Sequence, residues 1–175
     1  MYIKVGDEFV DSDLAFLRDL FEMLDSKMRE LQSRADQRPD DDSSGIYDWC
    51  DWLAGTGFVA CQRYLAATYG PHGVAKEIAL AIGPHHNRGK SIVDILNAAA
   101  NFWKHQDEWD IYTVITRDVD ALGKREQKTV DIIESVTPWS DFTFANLLFE
   151  LTGEIQFARL IPMLEEWRRQ LDAAK

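Results

Sequence analysis

A regular repeat of apolar side chains between residues 14 and 31 constrains the fold of this chain more than any other feature. Its six members follow one another at alternating spacings of three and four: Leu14, Leu17, Phe21, Leu24, Met28 and Leu31. This heptad spacing puts them on one face of a long helix that begins after Asp11 or Ser12, each a favourable N-cap. Because the repeat is short for an independent coiled coil, we favour a helix of an antiparallel bundle over the alternative, a dimerisation helix.

Glycine and proline residues mark where further helices end. A second long helix is predicted from about Asp48 to Tyr69, where Gly70-Pro71 is a strong stop. Gly55 and Gly57 weaken the middle of this helix and indicate a kink or a close helix crossing. Shorter helices are predicted near residues 72–83, from 90 or 91 to 109, over 124–136, from 140 to 153 and over 155–173.

Several local signals refine these boundaries. Ser140 can cap the helix that follows it, and Pro162 indicates a kink or an early break in the last helix. Residues 110–116 are rich in β-branched side chains and are either extended or a continuation of the preceding helix, and a helical turn is predicted near 116–122. The sum is an all-α, single-domain bundle of six or seven helices over residues 1–175, with a short extended arm at 1–10 and an acidic loop at 36–45.

Composition supports a globular protein of the cytoplasm. Hydrophobic residues make up 46% of the chain and six are Trp, which is ample material for a core. Neither a signal peptide nor a membrane-length apolar run is present, so no membrane partner is expected. Cys50 and Cys61, placed on one helix, are too far apart for a disulfide and are predicted to be reduced, buried thiols.

The charge of the chain is large and unevenly distributed. The net charge is −11, yet residues 61–105 carry five basic and two acidic side chains, and all four His residues lie within them. An acidic protein repels nucleic acid at long range, which disfavours a coat for DNA or RNA but leaves room for a local phosphate pocket. Acidic flanks serve solubility or meet a basic partner; solubility is the commoner meaning.

One helix within the basic block has an unusual polar face, which we call the polar stripe: Lys90, Asp94, Asn97, Asn101 and His105. At about 100° per residue these side chains fall within one narrow arc, opposite an apolar half. Asn and Asp are mediocre in helix interiors, whereas a merely solvated face usually recruits Glu, Lys, Arg or Gln. The stripe is therefore an exposed face, a buried polar layer satisfied by a neighbouring helix, or a binding site.

The loop that leads into this helix, GPHHNRGKS over residues 83–91, is similar to a phosphate-binding loop. Five residues separate its glycines where the nucleotide motif has four, and a helical rather than a strand composition precedes it. We therefore expect anion binding, not nucleotide hydrolysis, by Arg88, Lys90, Ser91 and the helix N-terminus, with Arg63 as a further cation. The His residues lack the spacing of helical ligand pairs, and neither a metal nor a cofactor is predicted.

The segment ANFWKH, residues 100–105, resembles the motif of HEPN-type helical domains, in which Arg, commonly followed by Asn, precedes His by four to six residues. Asn101 and His105 match the Asn and His positions, and Ala100 stands in the place of Arg. The resemblance implies a small α-bundle of toxin–antitoxin or defence type, and often a metal-independent endoribonuclease. In this chain Lys104, Arg88 or Arg63 must then supply the positive charge.

The resemblance gives the polar stripe a chemical role. His105 is suited to acid–base catalysis near neutral pH, Lys104 to stabilising a charged phosphorane-like state, and Asn101 to orienting a phosphate, with Asp94 and Asn97 as supporting residues. We expect a HEPN-like domain that acts on RNA or regulates an RNase partner, with a homodimer across the central helix. The alternative is a non-enzymatic interaction or inhibitor module whose acidic surface, concentrated in residues 1–60, binds a basic protein partner.

Overall fold

The apolar repeat forms the buried face of the first helix, α1, Ser12–Asp36, in a computed structural model of the protein that describes residues 2–6, 8–37, 45–109 and 122–174. Asp11 caps this helix, since its carboxylate accepts a hydrogen bond from the Leu14 N–H at 3.0 Å. All six residues of the repeat are buried. The prediction of a long bundle helix is thereby confirmed.

The described part of the chain contains seven α-helices and one β-hairpin. The predicted extended arm is an antiparallel hairpin of β1, Tyr2–Val5, and β2, Glu8–Asp11. The helices after α1 are α2 Ile46–Tyr69, α3 Lys76–Ala81, α4 Ile92–His105, α5 Lys124–Glu134, α6 Thr143–Thr152 and α7 Ile161–Ala173. Two short 3₁₀ helices, Gly70–His72 and Phe157–Leu160, follow α2 and precede α7. The mostly helical, single-domain architecture matches the fold class expected from sequence.

Helix α4 is the centre of the bundle. It contacts α2, α3, α5 and α7, and nine of its fourteen residues are buried. Helix α2 packs against α1 on one side and against α4 and α6 on the others. An isolated helix of this length is marginal in water, so α4 owes its stability mainly to these neighbours. Their arrangement also fixes which part of the polar stripe can be reached from outside.

The glycines in the middle of α2 are places of close helix crossing, one of the two meanings predicted for them. A methyl group at Gly55 would overlap the ring of Trp103 on α4, and one at Gly57 would overlap the ring of Phe157. The missing side chains therefore let two aromatic rings lie directly against the α2 backbone.

Several boundary predictions differ from the structure. Residues 72–75, 106–109 and 155–160, which were predicted as helical, lie outside the α-helices α3, α4 and α7. Helix α6 has Phe142 at its N-cap position, and the carboxylate that accepts from its first turn is Asp51 of α2, at 2.8 Å from Ala145 N, and not Ser140. Pro162 lies in the first turn of α7, where its missing N–H is no loss, so it neither kinks nor breaks a helix. The predictions for residues 38–44 and 110–121 fall outside the described residues.

Both cysteines are buried and free, as predicted. Burial raises the pKa of the Cys61 thiol, which keeps it protonated and unreactive at neutral pH. Among the described residues, no helix combines the length and the apolar character that crossing a membrane requires.

Candidate functional site: a polar cleft beside α4

Four of the five stripe residues, all except Lys90, line one open cleft of about 600 Å³. Helix α4 forms one wall, α5 another, and the start of α3 contributes at the edge. The fourteen lining residues are Lys76, Glu77, Asp94, Asn97, Ala98, Asn101, His105, Glu108, Trp109, Arg125, Glu126, Lys128, Thr129 and Ile132. These four residues of the stripe therefore border a cleft between α4 and α5.

Behind the cleft, Gln62 of α2 joins the two asparagines of the stripe. Its side-chain nitrogen lies 3.0 Å from Asn97 Oδ1 and 2.8 Å from Asn101 Oδ1, and 3.3 Å from the Asn97 backbone oxygen. Its oxygen accepts from Lys104 Nζ at 2.6 Å. Four polar groups on α2 and α4 thus form one connected network.

Lys104 and the Asn97 backbone oxygen together determine the direction of the hydrogen bonds in this network. An ammonium group can only donate, so the Gln62 oxygen must face Lys104 and the Gln62 nitrogen must face the asparagines. Because that nitrogen donates, Asn97 and Asn101 must turn their oxygens toward it. Their own NH₂ groups then point away from Gln62.

The two NH₂ groups form no hydrogen bond with another described residue, although both asparagines line the cleft. Asn97 is only 9% exposed, and Asn101 is partly exposed. NH₂ groups that are not used within the protein can donate to an acceptor that enters the cleft. The geometry therefore points to a ligand that presents oxygen acceptors.

His105 lies at the end of the same wall with one nitrogen already engaged. Its Nδ1 is 3.0 Å from Glu108 Oε2, and its ring stacks on Trp109 at 6.1 Å and an interplanar angle of 17°. When Nδ1 carries the proton and donates it to the carboxylate, the lone pair of Nε2 is free to accept a proton. The side chain is 45% exposed and lines the cleft.

Cations from two other helices line the cleft. Lys76 of α3 and Arg125 and Lys128 of α5 make no ion pair with another described residue. Glu77, Asp94 and Glu126 also line it, so the cleft is polar and mixed in charge rather than uniformly basic. Such a site selects a ligand by the positions of its charges and not by a broad attractive field.

The structure separates the other predicted site residues from the cleft. Lys104 lies on the α2 side of α4, where it lines a second groove together with Trp103 and Trp52. Arg63, Arg88 and Lys90 are exposed, and none of them lines the cleft.

The loop predicted to bind an anion, residues 83–91 before α4, uses most of its hydrogen-bond donors within the protein. Ser91 is the N-cap of α4, accepting from the Asp94 N–H at 3.2 Å, and its hydroxyl donates to the Leu80 carbonyl. The N–H groups of His86 and Ile92 donate to carbonyls within the loop, at 2.8 Å and 2.9 Å. Most donors that an anion would need at this helix end are therefore already used.

Four residues of the arrangement were not singled out from the sequence: Gln62, Glu108, Arg125 and Lys128. Glu108 had a readable signal, since it stands three residues after His105. Arg125 and Lys128 are also three apart and share a face of α5, but only the packing of α5 on α4 shows what that face meets. Gln62 carried no local signal.

No group of three metal-binding side chains comes together in the described parts of the chain. The homodimer predicted across α4 stays a prediction. No protein-family model, curated protein or solved structure matches this chain.

Proposed function

We propose that the protein is a HEPN-like helical domain that binds RNA in the α4–α5 cleft and cleaves it without a metal ion. One observation supports this above others: Asn101 and His105, the two residues that match the motif, share an open cleft with Lys and Arg side chains that form no ion pair with a described residue. Had either residue been sealed in the core with all its hydrogen bonds satisfied, a catalytic role would have been excluded.

The chemistry assigned to the cleft is transfer of a phosphodiester to the neighbouring 2′-hydroxyl. His105 Nε2 takes the proton of that hydroxyl, the 2′-oxygen forms a bond to phosphorus, and the bond to the 5′-oxygen breaks. A proton from water or from the imidazolium returns to the leaving oxygen. The products are a 2′,3′-cyclic phosphate and a free 5′-hydroxyl, and Glu108 holds the imidazole in the tautomer that this step requires.

The positive charge comes from α5 in this proposal. Arg125 and Lys128 line the cleft, whereas Lys104 is bound to Gln62 behind it. Arg is well suited to a phosphate because its planar donors can bind two oxygens at once. These two residues thus stand in for the motif Arg whose place Ala100 occupies, and Ala100 itself is fully buried.

The decisive experiment replaces His105 and follows RNA cleavage in the presence of EDTA. Purified wild-type protein should cut single-stranded RNA and leave 2′,3′-cyclic phosphate ends, and His105→Ala should lower the rate by about 10²-fold or more. Arg125→Ala should lower it through loss of charge stabilisation. His85→Ala, which alters an exposed loop histidine, is the matched control and should keep the wild-type rate.

Unchanged cleavage by His105→Ala, or cleavage that stops when EDTA is added, would rule the proposal out. Thermal denaturation of each variant shows whether lost activity reflects lost folding. His105 is partly exposed and Arg125 exposed, so neither substitution should disturb the core.

A second candidate function is the interaction module that binds a basic partner. Phe16 and Met23 lie seven residues apart on one face of α1 and are 71% and 70% exposed, with Asp19 and Glu22 exposed beside them. An apolar strip flanked by acids fits a basic amphipathic partner. Under this alternative, reversing Asp19 and Glu22 to Lys abolishes binding of a basic amphipathic peptide to the protein. His105→Ala leaves that binding intact.

A further inference from the structure

We infer that Asn97 and Asn101 form a paired amide site for the oxygens of one phosphodiester, and that Lys104 and the Asn97 backbone oxygen, acting through Gln62, set the direction of both amides. The site deepens the proposed function, because the phosphodiester is that of the bound RNA. Gln62 and Lys104 are positioning residues that never touch the ligand. This differs from the role expected for Lys104 as a cation that contacts the phosphate.

The network permits one arrangement and opposes the other. Rotating the two Asn amides by 180° would bring NH₂ groups against the NH₂ of Gln62, donor against donor. Rotating Gln62 as well would bring its NH₂ against the ammonium of Lys104. Each alternative replaces hydrogen bonds with repulsion between like dipoles or charges, so the fold keeps the NH₂ groups of both asparagines turned away from Gln62.

The spacing of the two amides fits one phosphate group. Residues four apart on a helix have Cβ atoms about 5–6 Å from each other, a gap that two non-bridging oxygens of one phosphate can bridge. The two amides offer donors, and Arg125 and Lys128 lie across the cleft without ion pairs to described residues, although Asp94 on α4 also lines it. A negatively charged group with two acceptor oxygens matches both the paired amide donors and the nearby positive charges. The carbonyl group of a neutral base matches only the donors.

A single substitution, Gln62→Glu, should reverse the orientation of both Asn amides. Residue 62 would still form hydrogen bonds with Lys104 and with the two Asn side chains. A carboxylate can only accept, so it would accept from Lys104 and from both Asn NH₂ groups, which must rotate toward it. The cleft would then present two carbonyl oxygens in place of two donors. The Asn97 backbone oxygen, 3.3 Å from the Gln62 nitrogen, would lose that hydrogen bond, so we expect the melting temperature to be unchanged or slightly lower.

The test uses the full-length protein, inorganic phosphate and NMR of the Asn side-chain amides at pH 8. In the wild type, phosphate should shift the NH₂ resonances of Asn97 and Asn101, and NOEs should connect these protons to Thr129 or Ile132 across the cleft. In Gln62→Glu the NOEs should move to the side chain of residue 62, and phosphate affinity should fall about 10-fold or more.

A charge control separates rotation from simple repulsion of the anion. Ala66→Glu adds the same negative charge one turn further along the same face of α2. This variant should keep the wild-type NOEs and lose much less phosphate affinity than Gln62→Glu. Removing the cation with Lys104→Met should weaken the preference of Gln62 for one orientation and broaden the Asn amide resonances.

Two results would overturn the inference: phosphate leaving both Asn amide resonances of the wild type in place, or Gln62→Glu retaining wild-type NOEs and affinity. Neither readout depends on RNA cleavage. A functioning amide site in a protein that does not cut RNA would support the inference and reject the proposed function. Cleavage that depends on His105, with phosphate-silent amides, would do the reverse.

Discussion

Single residues such as Asp51 show how burial alters a charge that looks ordinary in the sequence. Asp51 lies on α2, and one of its oxygens accepts from the Ala145 N–H at the start of α6. Burial raises the pKa of this carboxyl to about 6, and the hydrogen bonds from the Ala145 and Phe144 N–H groups only partly oppose the increase. The folded protein therefore binds a proton at Asp51 more readily than the unfolded chain does.

The sign of this shift gives a pH prediction. Its contribution to the free energy of unfolding is greatest below the unfolded pKa, near 4, and disappears as the pH rises through about 6. As the pH falls from 7 to 5, Asp51 should add roughly 1 kcal/mol to the free energy of unfolding. Asp51→Asn should remove that gain. Urea denaturation at pH 5, 6 and 7 measures it, with the exposed Asp141→Asn as control. Parallel stability profiles for wild type and Asp51→Asn would contradict the assignment.

Among the helices, α2 packs closely against its neighbours because two of its residues are glycines without side chains. Trp103 lies against Gly55 and makes edge-to-face contacts with Trp52 and Phe144, at 5.8 Å and 5.1 Å between ring centroids. Trp103 of α4 is therefore held in the α2–α4 crossing by three neighbours, Gly55, Trp52 and Phe144. That crossing also positions Gln62 against Asn97 and Asn101.

Gly55→Ala should destabilise the protein even though Ala favours helices more than Gly. Overpacking a core site costs about 1–3 kcal/mol, and the rigid indole ring cannot step aside cheaply. The helix-propensity gain of up to about 1 kcal/mol is smaller. Gly70→Ala is the control at the end of the same helix, where a methyl group meets no atom beyond the neighbouring residues; because Gly70 has helical backbone before Pro71, which a residue with a Cβ disfavours, this change should cost a little but less than Gly55→Ala. Equal effects of both changes in guanidinium denaturation would show that Trp103 does not restrict Gly55.

In the molecule as a whole, one buried ion pair connects the beginning of the chain to its end. The Asp11 carboxylate caps α1, accepts from the Tyr64 hydroxyl of α2 at 2.9 Å, and binds Arg168 of α7 at 2.6 Å. Arg168 also lies over the ring of Phe9 in the hairpin, 4.6 Å from its centroid. Burial raises the pKa of Tyr64, so its hydroxyl stays protonated and donates to Asp11.

Arg168→Met should therefore loosen the hairpin and three helices together. Removing one partner of a buried pair leaves the other charge uncompensated, which costs about 3–5 kcal/mol. Arg169→Met is the matched control, because Arg169 pairs with Glu166 on the exposed surface and should matter by about 1 kcal/mol or less. Thermal denaturation compares the two. Adding Asp11→Asn to Arg168→Met should recover part of the loss; no recovery would mean that packing, not charge, explains it.

Much of the fold could be read from the sequence because its signals are local. The repeat from Leu14 to Leu31, the stop at Gly70-Pro71 and the polar stripe each depend on spacing along one helix. The capping of α6 by Asp51 could not be read in this way, since donor and acceptor are 94 residues apart. The sequence placed Lys104 in one site with His105; its position behind the cleft and its partner Gln62 could be seen only in the structure.

By itself the sequence determined that the chain forms helices, where most of them begin and end, and that α4 places Asp94, Asn97, Asn101 and His105 on one face. These properties follow from the 3.6-residue period of a helix, which each segment has on its own. Only the tertiary structure decided that this face borders a cleft, that Arg125 and Lys128 line its other wall, and that Gln62 turns two amides toward it. Those relations depend on how α2, α4 and α5 cross, and the crossing is set by the packing of the whole core.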